Sequence, residues 1–569
     1  MTINIHSSSQ KTTISIHSHM TMSTSLFVFF LIPLLCLSSA SQQDTNATPT
    51  PTYSIQQLCK AATRFPELCV SSLSNSKLPP NPTPLQLIYS SLSVTSETAR
   101  AVQSKVNAIL NSAAGDQNRT IAAKNCLEVL KSSLYRISNT ANDALPRGNL
   151  KSARTWMSAS LGHHTDCGSA LKNINDTKLA GETLLMVTSL TNITSNTLSL
   201  LFSYDHFGND TASWTPPKTE RDGFWGAVNA KSGSGIAGFK GGVPANLKVD
   251  VTVSKDGSGG SYKKVQDAVN AAPNNTVDGK RFVIRIKAGV YEEIVRVPLE
   301  KKNVVFLGDG IGKTVITGSL AVGQPGISTS SSATVAVLGD GFMASGLTFQ
   351  NTAGADKDNQ SHQAVAFKSS SDLSVIENCE FLGNQDTLFA QTLRQFYKSC
   401  RIVGNVDFVF GNAAAFFQDC QILVKPRQAA PEKGGRNYMT AHGRTDPAQS
   451  TGYVFYNCLI NGTEEYMKLY HGASNPEIHS NFLGRPWKEY SRTVYIQSNL
   501  QDLVSPQGWL PWNDAGFALP TLYYGEFRNF GPGFTPSRRV NWSNQIPAER
   551  VHTYSVENFI QGDQWIPSS

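Results

Sequence analysis

Cys379-Glu-Phe-Leu-Gly-Asn384, Cys400-Arg-Ile-Val-Gly-Asn405, Cys420-Gln-Ile-Leu-Val424 and Cys458-Leu-Ile-Asn-Gly462 align with one another and with Leu347-Thr-Phe-Gln-Asn351. Their leading positions are 32, 21, 20 and 38 residues apart. Each copy is one short apolar run closed by Asn or Gly, which reads as a strand and a turn. A repeat of roughly 20 residues that cannot bury its apolar face alone must stack on its neighbours. The expected fold of the second half is therefore a right-handed parallel β-helix. A β-sandwich also has short strands, but antiparallel pairing offers no reason for this alignment.

The same rung spacing applies to polar residues. Asp386 and Asp407 are 21 apart, and Gln363 and Gln385 are 22 apart, so each pair should lie side by side. They sit among apolar residues (Gln363-Ala-Val-Ala, Gln385-Asp-Thr-Leu-Phe, Asp407-Phe-Val-Phe-Gly), where an isolated carboxylate is costly. Two neighbouring carboxylates do not both ionise easily; one is expected to titrate high and one low, which supplies an acid and a nucleophile together. The bland alternative is an Asp ladder that caps turns.

N-terminal to this region the texture changes. From about Ser54 to Ser203 apolar residues recur at three- and four-residue spacing, as in Leu127, Leu130, Leu134 and Ile137. Breaks at Leu78-Pro-Pro80, Ala114-Gly115 and Leu145-Pro-Arg-Gly148 divide it into helices, and an antiparallel bundle follows. His163-His164 reads as a solvated helix end. The organisation expected is a signal peptide over 1–40, a helical domain over 53–205, a linker over 206–246 rich in Ser, Gly, Lys and Pro, and the β-helix over 247–569. Leu26 to Leu37 is too short for the roughly 20 residues of a membrane span, and Ser38-Ser-Ala40 has the small-residue pattern of a cleavage site. Secretion is therefore expected, with no membrane attachment after cleavage.

Secretion gives the cysteines a meaning, since eight of the nine remain once Cys36 leaves with the signal peptide. Cys379 and Cys400 take equivalent positions on consecutive rungs, about 4.8 Å apart. That spacing leaves open a disulfide between them or a stack of buried thiols. No Cys/His cluster has zinc spacing, and neither metal nor cofactor is expected. Glycosylation sequons stand at Asn46, Asn118, Asn175, Asn192, Asn209, Asn274, Asn461 and Asn541. The net charge of +7 is mostly N-terminal, because from Gly241 onward 30 basic residues face 29 acidic ones. No basic cluster with interleaved aromatics appears, which argues against nucleic acid.

Gly289-Val-Tyr-Glu-Glu293, Gln363-Ala-Val-Ala366, Gln385-Asp-Thr-Leu388, Asp407-Phe-Val-Phe-Gly411 and Leu483-Gly-Arg-Pro-Trp487, in this order, make the second half resemble the pectin methylesterase family along nearly its whole length. The first half is similar to the plant pectin methylesterase inhibitor family, a four-helix bundle. That second resemblance implies disulfides Cys59 to Cys69 and Cys126 to Cys167. The first implies hydrolysis of galacturonate methyl esters in cell-wall pectin, with Asp407 as nucleophile, Asp386 as acid and base, and Gln363 and Gln385 as oxyanion hole. Arg485 would orient Asp407, Trp487 would offer an aromatic face to a sugar, and Thr329 would line the groove. Tyr291 and Glu293 are read as structural.

Three departures from the family pattern bear on this. No dibasic processing site appears between the halves, so a cut near Lys218 to Arg221 or in the Gly-rich stretch, or a joined and self-inhibited chain, are the alternatives. Ala355 to Ser361 is longer than the pattern. Phe389 stands where the family often has Tyr. Two other functions compete: a β-helical glycoside-cleaving enzyme, for which paired carboxylates also serve, and a non-catalytic inhibitor or wall-binding protein. The glutamine pair and the Arg-Pro-Trp motif favour the esterase.

Overall fold

The structure, a computed structural model, describes residues 54–568 apart from 173, 175–176, 227–235, 278, 354–362, 428–434 and 473–479. The expected signal peptide, the sequons at Asn46 and Asn175, and the long segment Ala355 to Ser361 lie outside the described residues.

Among the described residues, six α-helices build the first half: α1 (Ile55–Ala62), α2 (Pro66–Leu73), α3 (Pro84–Asn111), α4 (Gln117–Asn139), α5 (Leu150–Lys172) and α6 (Lys178–Phe207). Their starts are written in the sequence. Ser54 with Gln57, and Thr83 with Gln86, form capping boxes that satisfy the first free N–H groups, and Pro84 occupies the first turn of α3. Helices α3 to α6 pack as the expected bundle around residues such as Val102, Leu130, Cys167 and Leu190. Disulfides join Cys59 to Cys69 and Cys126 to Cys167. His163 and His164 are a correction: they lie buried inside α5, and His164 hydrogen-bonds Ser133 at 2.7 Å and Thr194 at 2.9 Å. Helix α5 runs on to Lys172, so this pair falls within it, and His164 faces the bundle.

Among the described residues the second half is three parallel sheets of eleven, eight and eight strands, with the central rungs contributing to all three. The aligned repeats stack in register: Glu380 opposes Arg401, Arg401 opposes Gln421, and Gln421 opposes Leu459. The turn that sets this register is a residue in the left-handed region just before each cysteine, namely Asn378, Ser399, Asp419 and Asn457. Inside the coil, Tyr397, Phe417, Phe455 and Tyr495 stack at centroid spacings of 4.7, 4.6 and 4.6 Å, one ring per rung. Parallel rungs put like residues above like, which rewards such ladders.

Cys379, Cys400, Cys420 and Cys458 are free and buried, so the disulfide candidate Cys379 to Cys400 is not formed. Their Sγ atoms turn to backbone carbonyls of the coil, as Cys379 does to Glu377 and Cys400 to Ile376.

Where it is described, the stretch expected as a linker packs on the β-helix, with Arg221 donating to the Trp542 carbonyl and the Trp225 ring on Tyr523 and Tyr554. Ile236 to Val243 then straps the eleven-stranded sheet, the Phe239 and Val243 amides donating to the side chains of Gln418 and Glu377. The motif Gly289 to Glu293 is structural, as expected: Glu293 accepts from the Val265 and Gln266 amides at the start of α7 (Val265–Ala271), and Tyr291 donates to the Lys287 carbonyl.

Candidate active site

Rung stacking brings the acidic pair together. Asp386 ends a turn ahead of strand Leu388–Ala390, and Asp407 lies in the next rung's strand Val406–Gly411. The Asp386 amide donates to the Val406 carbonyl at 3.0 Å. Both aspartates take left-handed backbone, φ 63° and 50°, a conformation Asp adopts more readily than most residues. Pairing with strand Asn437–His442 slips between Val406 and Val409, and this bulge re-aims the Asp407 side chain. Gln363 stands one rung earlier than Gln385, its neighbour Ala364 donating to the Gln385 carbonyl.

Arg485 holds Asp407 in a fork, Nε to Oδ1 at 2.9 Å and Nη2 to Oδ2 at 2.6 Å. It reaches there from strand Arg485–Pro486, which pairs with Ala441 and His442. The guanidinium is itself sandwiched, 3.9 Å from the Tyr438 ring centre and 4.5 Å from that of Trp512. Burial pushes both carboxyls up. Asp386 is driven well above the usual carboxylate range, by desolvation first and the Asp407 charge second; Asp407 rises less because Arg485 grips it. The expected split is thus present as an order, but Asp407 is not depressed: desolvation outweighs the arginine.

Gln363, Gln385, Asp386, Asp407, Arg485, Thr329 and Trp487 all line one cavity of about 490 Å³. Its floor carries the stacked rings of Phe389 and Phe410, 4.3 Å apart, with Trp487 edge-on to Phe410. The phenylalanine at 389 brings no hydroxyl to this floor. Sequence reasoning passed over Tyr438, Trp512 and Phe410. Phe410 lay within a quoted motif, whereas Trp512 stands in a loop with no spacing signal.

It raised a self-inhibited chain as an alternative but named no residue of the roof. Asn125, Glu128 and Val129 of α4 and Asp166, Ser169 and Ala170 of α5 close the cavity from above. Asn125 donates to Ser328 at 2.9 Å, and Gln391 donates to Asp166 at 2.8 Å. Farther out, Arg136 forks onto Asp340 at 2.7 and 2.6 Å, and the Trp156 indole donates to Asp372 at 2.8 Å. Among the described residues no hydrogen bond runs from the helical half to the side chains of Asp386, Asp407, Gln363 or Gln385. The roof spans the groove above these four side chains.

The family model Pectinesterase matches residues 250–563, and that of plant invertase/pectin methylesterase inhibitor matches 53–200. The chain is 58% identical to "Probable pectinesterase/pectinesterase inhibitor 64" of Arabidopsis thaliana, over 89% of this chain and 83% of that one. It is 38% identical to "Pectinesterase 2" of Citrus sinensis, over 84% and 86%. Among solved structures, pectin methylesterase from carrot matches at 46% identity and TM-score 0.52, covering 57% of this chain and 96% of that one. The solved relative corresponds to the β-helix half by itself. The chain belongs to the pectinesterase family and carries an inhibitor-family helical domain ahead of its esterase half.

Proposed function

We propose that the β-helix half hydrolyses galacturonate methyl esters of cell-wall homogalacturonan by an aspartate-nucleophile mechanism, on a chain exported from the cell. The observation that carries this is the unequal pair: Asp407 forked by Arg485, beside an Asp386 whose pKa is raised by burial and by its neighbour's charge. An Asp407 oxygen attacks the ester carbonyl carbon. The tetrahedral oxyanion takes hydrogen bonds from the Gln363 and Gln385 amides, where one donor is worth roughly a hundred- to a thousandfold in rate. The C–O bond to the methoxy group breaks, and Asp386 gives that oxygen its proton, so methanol leaves an acyl-enzyme. Water then attacks the acyl carbon, Asp386 takes back a proton, and Asp407 departs as carboxylate.

Trp487, Phe389 and Phe410 offer apolar faces to the sugars, and Thr329 borders them. In the joined chain the roof excludes a polymer from lying across the groove, so the helical half acts as an intramolecular inhibitor. The test is methanol release from highly methylesterified pectin by the β-helix half and its Asp407→Asn version, with reducing ends assayed in parallel. Methanol that depends on Asp407 is expected. New reducing ends would instead mean a glycoside-cleaving enzyme, and no activity would mean an inhibitor or wall-binding protein.

A further inference from the structure

Away from the groove, a second cavity of about 440 Å³ opens where three parts of the chain meet. Arg154 of α5 and Asp205 of α6 line it from the helical half, and Glu220 lines it from the connecting stretch. Arg444 and Ser450 reach it from the loop between strands Asn437–His442 and Gly452–Tyr456. Arg492 of strand Arg492–Ile496 and Thr553 near the C-terminus also border it. The cavity shares no lining residue with the groove over Asp407.

In the joined chain Arg154, Arg444 and Arg492 are 9, 3 and 8% exposed, and the buried acids among the lining are two, Asp205 and Glu220. Asp205 serves Arg154, and one Glu220 oxygen serves Arg492. Arg444 is left over. Its Nη2 donates to the Pro447 carbonyl, but its Nη1 stands 3.9 Å from Glu220 Oε2, beyond hydrogen-bond reach. Burial, and then the Arg492 charge, lower its pKa to about 9. Among the described residues, Arg154 Nε, Arg444 Nε, Glu220 Oε2, Ser450 Oγ and Thr553 Oγ1 are all buried without a hydrogen-bond partner. Buried polar atoms are nearly always paired, so five on the residues of one cavity point to a polar ligand. Water satisfies hydrogen bonds but not charge, and three arginines against two acids leave one buried cation uncompensated.

We propose that this cavity binds a phosphate group that keeps one hydroxyl, as inorganic phosphate and phosphate monoesters do, and that it does so in the joined chain. The phosphate oxygens accept from the two Arg Nε–H groups and from the Ser450 and Thr553 hydroxyls, and the charge answers the third arginine. The P–OH donates to Glu220 Oε2, an ionised acid that can only accept. Sulfate has no such proton at neutral pH, and it sets an oxygen against the Glu220 oxygen. Phe202, Phe224 and Phe559 supply apolar wall for the body of a monoester. A ligand held by the helical half, the connecting stretch and the β-helix together stabilises their docked arrangement by mass action. This site goes beyond the esterase reading and does not depend on it.

The experiment is calorimetric titration of the full chain at neutral pH and constant ionic strength with inorganic phosphate, glucose 6-phosphate and sulfate. Phosphate should bind with a Kd of about 1 mM or tighter, and sulfate at least about tenfold more weakly. Tighter binding of glucose 6-phosphate than of phosphate assigns the site to a monoester, and the reverse order assigns it to the free ion. Ser450→Ala and Thr553→Val should each weaken phosphate about fivefold or more. Their thermal midpoints without phosphate should hold or rise, because the deleted hydroxyl had no partner to lose. Absence of saturable heat up to about 20 mM phosphate, equal affinity for sulfate, or affinity unchanged in both variants would overturn the site. So would a midpoint that falls in both variants without phosphate, since water would then already serve those hydroxyls.

Discussion

Arg485 and Asp407 come from rungs separated by 78 residues of sequence, yet they meet through two parallel hydrogen bonds of 2.9 and 2.6 Å. The fork favours the ionised form of a carboxyl that burial alone would neutralise. Arg485→Gln removes that support, so the pKa of Asp407 rises further. A rate that needs ionised Asp407 is then lost at a higher pH as the solution is acidified. The acid limb of kcat/KM should move up, with kcat down roughly a hundredfold. Arg485→Lys should not restore it, because an ammonium cannot fork onto both oxygens. A pH-rate profile with an unmoved acid limb would count against the arrangement.

Arg136 of α4 is almost fully buried where it forks onto Asp340 of the β-helix. Truncating one partner of such a charge pair costs roughly 2–5 kcal/mol, much of it from the charge left behind. Arg136→Met should loosen the roof, and methanol release from polymeric pectin by the full chain should rise. The β-helix half assayed alone sets the upper limit. An unchanged full-chain rate would show that this contact does not hold the groove shut.

His163 and His164 are held neutral by burial, each with its pKa lowered to about 3 from the ordinary 6.5. A histidine depressed in this way contributes stability that is fully present above its unfolded pKa and is lost as pH falls from 6.5 toward 3. Each withdraws roughly 1.4 kcal/mol per pH unit inside that window. The thermal midpoint of the helical half should drop between pH 6.5 and 4. In His164→Gln the slope of that drop should shrink by about half, whatever the starting level.

Cys379, Cys400, Cys420 and Cys458 are each at most 1% exposed, and burial pushes the first three thiols well up. A thiol attacks as its thiolate, so the folded chain should resist alkylation. All four should label with iodoacetamide only after denaturation, as counted by intact mass. Labelling of the native protein at the unfolded rate would contradict the ladder.

The β-helix was legible because its signal is translational. Stacking one rung on the next places residues about 20 apart in contact, and the copies led by Cys379, Cys400, Cys420 and Cys458 register in the structure as they align in the sequence. The same arithmetic put Asp386 beside Asp407 and Gln363 beside Gln385. It reached Arg485 through the Leu-Gly-Arg-Pro-Trp motif, where resemblance did the work that spacing could not. It failed for Trp512, which enters from a loop, and for His163-His164, where a polar pair in a helix gave no sign of being buried.

By itself, then, the sequence determined the two architectures, because caps, periodicity and rung repeats are local and each contact follows from a fixed separation. Only the tertiary structure decided how the helical half lies on the groove, that Glu128 reaches Lys368 across 240 residues, and that Glu220 in the connecting stretch is buried between Arg444 and Arg492. Those contacts join segments with no common period, and they depend on surface shape and charge that exist only after each half has folded.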